Sequence, residues 1–157
     1  MFVSPSPTAP GNPLPNSRSR TETHACQQCT PPKRPLEKMT DKVNLAQKIR
    51  ALDGFWRPGI VGHVNDHKLE VVRVQGQFVW HRHDHTDDFF LVLHGRVTVQ
   101  LPDRDVELNE GEMFVVPRGI PHCPKADQEA HVLLIEPRGT ANTGDAGGDL
   151  TAPEVEI

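Results

Sequence analysis

The sequence predicts an all-β domain, and three observations carry the prediction. From Pro58 onward, short runs rich in β-branched and aromatic residues follow one another at close spacing. Asn-Asp, Pro-Asp and glycine-containing turn signals separate them. Only one segment, before these runs, has a helical period.

That segment runs from Asp41 to Asp53. Leu45, Ile49 and Leu52 fall at i, i+4 and i+7, on one face of a helix. Thr40, Asp41 or Asn44 is placed to cap its start, and Gly54 lies where a C-terminal stop is expected. Phe55 and Trp56 are then expected to plug the helix onto the body. The predicted strands are Ile60–Val64, Leu69–Val74, Phe78–His83, Phe89–Leu93, Arg96–Leu101, Val106–Leu108, Met113–Val116, His122–Pro124 and His131–Ile135. In Arg96–Leu101 the residues Val97, Val99 and Leu101 alternate with polar neighbours, as in a strand buried on one face. Gly76, Gly95, Gly111 and Gly119 punctuate the series. Many short strands with intervening turns indicate a sandwich or barrel.

Composition divides the chain. Residues 1–38 hold eight of the fifteen prolines and almost no aliphatic residues, too little apolar area to offset the entropy of ordering them. They are expected to form a disordered tail, with Met39 a candidate alternative start. The domain is expected over 39–140 and a C-terminal tail over 141–157. The formal charge of −4 divides into five basic residues against two acids in 1–38, and twelve against nineteen in the rest. An acidic body without a basic stripe argues against nucleic-acid backbone binding. No apolar run reaches the ~20 residues of a membrane helix, and no hydrophobic leader core opens the chain. The body has one cysteine, Cys123, expected to be a buried inert thiol, and a cytoplasmic location is the simplest reading. Cys26 and Cys29, with His24 nearby, lack a second pair and read as a chance Cys-x-x-Cys in the tail.

The chemistry concentrates in the histidines. His81 and His83 are at i and i+2, so on an extended chain both project to one face. His122, returning on another strand, could complete part of a metal coordination sphere, and imidazole suits Zn, Fe, Ni, Cu and Mn-class ions. His85 continues the i+2 series and is the candidate substitute ligand; His63 is ambiguous, and His67, His94 and His131 read as turn or surface residues.

In sequence, Gly76, four residues, His81-Arg-His83, four residues, Asp88, six residues and Gly95 resemble the first motif of the cupins. Gly111, five residues, Pro117-Arg-Gly119-Ile-Pro-His122 resemble the second. The fifteen residues between the motifs are similar to the short spacer of small bacterial single-domain cupins, some labelled mannose-6-phosphate-isomerase-like. The resemblance implies a conical β-barrel, a double-stranded jelly roll, in which His81, His83, Asp88 and His122 bind one divalent metal (Zn, Fe, Mn or Ni). Asp88 stands where the family usually has Glu and is shorter by about 1.5 Å of reach. Direct ligation and ligation through a water are therefore both open, and Asp87 is a second candidate acid. Two further departures are a one-residue-shorter gap before His81 and Ala126 in place of a closing asparagine.

The family hosts many activities, so fold does not name the reaction. The absence of tyrosine excludes a phenolic general acid. The expectation is a metal-dependent enzyme on a small polar or carboxylated metabolite, of isomerase, lyase or dioxygenase type. The alternative is a non-catalytic metal- or ligand-binding or sensing module. Glu70, Glu107, Glu112 and Glu136 are the candidate bases, none of which the sequence places inside the barrel, and Arg57, Arg73 and Lys125 are candidate anion binders. A homodimer is expected from open sheet edges.

Overall fold

A computed structural model describes residues 42–157. The tail calls on 1–38, the Cys26/Cys29 pair, the Met39 start and the caps at Thr40 and Asp41 lie outside the described residues. The described residues form one helix, α1 (Leu45–Arg50), and the strands β1 (Gly59–Val64), β2 (His67–Gln77), β3 (Asp88–His94), β4 (Arg96–Gln100), β5 (Asp105–Asn109), β6 (Met113–Val116) and β7 (Cys123–Pro137). All pairings between these strands are antiparallel, giving an all-β barrel with a short N-terminal helix.

The helix is shorter than its periodicity predicts. Asn44 caps it, its side-chain oxygen accepting from Gln47 N at 3.1 Å, and Gly54 closes the exit with φ of 77°. Ile49 and Leu52 pack with Val71 on the outside of β2, joined by Leu133 and Ile157.

β7 organises the barrel. It pairs with β2 along its length, with β4 through Cys123–Lys125 and with β3 through Phe89↔Ile135 to His94↔His131. The two separate strands expected at His122–Pro124 and His131–Ile135 are therefore one. The polar stretch Asp127-Gln128-Glu129 between them is accommodated where the register with β2 shifts between Val74 and Gly76. A second correction concerns Phe78–His83. Only His81 is paired there, in an isolated bridge to His122, and the stretch is otherwise loop.

Alternation fills the barrel. Val72, Val74, Phe90, Val92, Val97, Val99, Val116 and Val132 form one buried cluster from β2, β3, β4, β6 and β7. The segment after β7 returns across the barrel: Thr143 is fully buried, Asp145 accepts from Arg82 N at 2.9 Å, and Ile60 N donates to Val155 O at 2.8 Å. At Gly144 any Cβ would sit 2.2 Å from Arg82 O, so this approach requires glycine. No helix among the described residues is long and apolar enough to cross a membrane.

Candidate metal centre

His81 and His83 come from the loop between β2 and β3, Asp88 opens β3, and His122 directly precedes β7. Backbone contacts hold the loop from both sides. His81 N donates to His122 O at 3.0 Å, His122 N donates to His81 O at 2.8 Å, and Gly119 N donates to His83 O at 2.8 Å. His81 and His83 are buried while Arg82 between them is exposed, so the i, i+2 geometry holds without a regular strand.

The four residues predicted as ligands meet. Each offers one donor atom, and all four atoms lie within 4.8 Å of one another, so the group could hold a metal ion. His81 and His122 ring centroids are 4.3 Å apart, and those of His81 and His83 are 5.1 Å apart. His81 Nδ1 lies 3.0 Å from Val79 O, and His122 Nδ1 lies 3.0 Å from Ile120 O. A carbonyl only accepts, so both rings carry the Nδ1 proton, which leaves Nε2 as the nitrogen available to a metal. His122 Nε2 then faces Asp88 Oδ2 at 2.9 Å, and His83 Nε2 lies 3.6 Å from the same oxygen. Lone pairs facing a carboxylate call for a proton or a cation between them. Burial holds His81 near 4, with His122 repelling its charged form, and burial also lowers His83. His83 Nε2 and Asp88 Oδ1 are buried without a partner. The donor set and these orphaned atoms fit a divalent cation.

The remaining candidates lie elsewhere. His85 and Asp87 are exposed, and Asp87 Oδ1 accepts from Arg118 N at 2.9 Å, holding the turn. His63 Nε2 lies 2.9 Å from Glu156 Oε1 at the surface. Cys123 is free and fully buried, its thiol pushed up by burial. Among the cationic candidates, Arg73 binds Glu129 through two nitrogens and Arg57 is exposed.

Sequence reasoning placed no glutamate inside, yet Glu70 and Glu136 are 1% and 2% exposed. Between them lies Lys68, whose Nζ is 3.2 Å from Glu70 Oε2, 3.5 Å from Glu136 Oε2 and 2.9 Å from Glu154 Oε1. Glu136 Oε1 is 3.9 Å from His83 Nε2, which joins this group to the histidine ring. Burial and then the Asp88 charge lift the Glu136 carboxyl to about 9, and burial also raises Glu70. A signal existed in the sequence: Lys68, Glu70, Val72 and Val74 share one parity on β2, and Val132, Leu134 and Glu136 share one on β7.

Beside the centre opens a small cavity lined in part by His81, Asp88 and Glu136. The fold and site together define a small β-barrel protein with a candidate metal centre. The family model described as "Cupin domain" matches residues 68–136. A cupin-2 domain containing protein from Shewanella frigidimarina NCIMB 400 is 36% identical, with a TM-score of 0.60 over 61% of this chain and 94% of its own. Protein NMB1881 from Neisseria meningitidis is 28% identical, with a TM-score of 0.58 over 62% of this chain and 99% of its own. Protein YdbB of Bacillus subtilis (strain 168) is 29% identical over 102 residues, 64% of this chain and 88% of the relative. This chain belongs to the cupin family.

Proposed function

We propose that the protein is a metal-dependent cupin enzyme that holds one divalent ion through His81, His83, Asp88 and His122 and converts a small molecule in the adjoining cavity. The observation that carries the reading is the convergence of four donor atoms within 4.8 Å of one another, with His83 Nε2 and Asp88 Oδ1 left buried and without a hydrogen bond. When bound, the ion would act as a Lewis acid toward a substrate oxygen. The chain's own residues supply the rest. Nδ1–H bonds to Val79 O and Ile120 O fix the His81 and His122 rings, and the barrel wall excludes water from one side of the cavity.

Glu136 favours an enzyme over a passive binding module. Its carboxyl lines the cavity, with Oε2 3.5 Å from Lys68 Nζ and Oε1 3.9 Å from His83 Nε2, where it could accept or return a substrate proton. A proton carrier beside a Lewis acid suits isomerase or lyase chemistry. The free, buried Cys123 accords with a reducing, cytoplasmic setting. A homodimer is part of this reading, because the edge strand β6 leaves Met113 and Val115 exposed at 54% and 38%; light scattering should give twice the chain mass.

Elemental analysis of the full chain, purified without chelator, tests the centre. Near-stoichiometric metal is expected in the wild type, and loss of it in His81→Ala and His122→Ala with the circular dichroism of the barrel retained. Unchanged metal in either variant would overturn the ligand assignment.

A further inference from the structure

We infer that the cavity takes a small, uncharged, mostly apolar molecule, presenting a single oxygen donor to the histidine end. This departs from the polar or carboxylated metabolite that the sequence suggests. It rests on the proposed metal centre only for the anchor of that oxygen.

The lining decides the class. Of the fourteen residues around the cavity ten are apolar, and none is lysine or arginine. A carboxylate or phosphate would find no cationic side chain there; the positive charge on offer would be that of the proposed ion, which the Asp88 carboxylate already faces. The nearest buried cation, Lys68, is already engaged by Glu70, Glu136, Glu154 and Thr140 O. Asn142 is also committed, its amide donating to Leu150 O at 3.0 Å and its oxygen accepting from Ala152 N at 2.9 Å. The polar handles left for a ligand are thus the histidine–carboxylate end alone. The remaining wall consists of Val72, Val74, Val97 and Val132 with the aromatic rings of Trp56, Phe78 and Phe90.

This wall is not simply core. Close-packed interiors leave few voids larger than a water molecule, whereas this one is open and carries an indole that remains half-buried. Trp56 is held there deliberately. Its φ is 62°, an uncommon conformation for an aromatic residue, fixed by Trp56 N donating to Arg73 O at 2.9 Å and Nε1 donating to Gln75 O at 2.8 Å. The indole stacks on Phe78 with centroids 4.8 Å apart, and Phe78 in turn meets His81 edge-on at 5.4 Å. These rings form a continuous aromatic wall running from the mouth to the candidate metal centre. Such a wall selects a flat apolar body and orients its polar end toward His81.

The test uses the full chain loaded with Zn²⁺, its zinc content measured on the same sample, and reads binding by calorimetry and saturation-transfer NMR. Phenol is the neutral aromatic probe; mannose 6-phosphate and citrate are the charged ones. Phenol is expected to saturate and to bind at least about tenfold more tightly than either anion. Trp56→Gly, which tolerates the positive φ, should bind phenol about fivefold more weakly with zinc unchanged. Zinc-loaded protein that binds mannose 6-phosphate or citrate better than phenol, or binds none of them, would overturn the inference while leaving the metal reading intact. Phenol binding that persists in protein unable to hold zinc would support the inference and overturn the metal reading.

Discussion

The ring of His81, His83, Asp88 and His122 and the group of Lys68, Glu70 and Glu136 are buried to the same depth, each residue at most 6% exposed. They adjoin at Glu136, yet burial is compensated differently in each. The second group contains its own cation, with Lys68 reaching both buried carboxylates and donating to Thr140 O at 2.8 Å. The first contains none. Buried atoms without a hydrogen bond occur in both, His83 Nε2 and Asp88 Oδ1 here and Glu70 Oε2 and Glu136 Oε2 there, but only the second pair has an ammonium beside it, at 3.2 and 3.5 Å. The comparison teaches how a structural polar group differs from a receptive one. Desolvating a charge is tolerated when the compensating charge is built in, as at Lys68. Where the compensating charge is missing from the chain, the site is shaped for one that arrives from solution.

The largest expected effect breaks the built-in half of this contrast. Lys68→Met keeps the stem volume and removes the charge, leaving Glu70 and Glu136 buried without a cation. Removing one partner of a buried ion pair costs about 3–5 kcal/mol, so the midpoint of chemical denaturation should fall steeply at neutral pH. Changing Glu70 and Glu136 to Leu in the same background should recover most of the loss, because an apolar set needs no compensation. A Lys68→Met protein as stable as the wild type would mean that the group is not held together by charge, and the contrast with the histidine ring would collapse.

The two groups also differ in how readable they were. The histidine ring was legible because i, i+2 spacing on an extended segment survives even where the regular strand does not: His81 and His83 face inward from a loop. Choosing Asp88 over Asp87 came from motif spacing, since the two carboxylates are chemically alike and only the register of β3 separates them. The lysine group was illegible for the opposite reason. Lys68-Leu69-Glu70-Val71 alternates charged and apolar residues, which reads as charges outward. In the barrel the phase is reversed: Lys68 and Glu70 point in, and α1 covers Val71 from outside. A one-residue change of phase turns every side chain to the other face, and the one sequence signal for it is the parity that Lys68 and Glu70 share with Val72 and Val74 further along β2. The inward turn of Asn142 and Thr143 was unreadable too, because it depends on Gly144 meeting Arg82 O far away in the chain.

A smaller effect sharpens the receptive half. Asp88→Glu adds one methylene, and about 1.5 Å of reach, beside three buried rings. Overpacking costs about 1–3 kcal/mol in a close-packed site, so the metal-free protein should lose stability on that scale. Zinc affinity, read by competition with a chromophoric chelator, should nevertheless hold or tighten, because the carboxylate remains. Asp88→Asn keeps the shape and removes the charge, and should weaken zinc about a hundredfold. If Asp88→Glu loses as much affinity as Asp88→Asn, Asp88 serves the barrel rather than the ion.

The smallest effect comes from an ion pair outside the barrel, and it measures what burial contributes to the other two. Arg73 Nε donates to Glu129 Oε1 at 2.9 Å, its second nitrogen donates to Oε2 at 3.1 Å, and His131 Nε2 lies 3.0 Å from Oε1. The Arg73 hydrogen bonds, and then His131, hold the Glu129 carboxyl down at about 2. Its folded value is below the unfolded one near 4.5, so the pair's contribution is present above pH 4.5 and is lost as pH falls toward 2. Glu129→Gln should therefore lower Tm slightly at pH 7, and the gap to wild type should close as pH drops through that window. Water screens this pair and is absent around Lys68, so the same loss of one charge should register weakly here and strongly there. A Glu129→Gln loss that matched Lys68→Met, or one that ignored pH between 4.5 and 2, would show that geometry rather than burial sets the strength of charge pairing in this barrel.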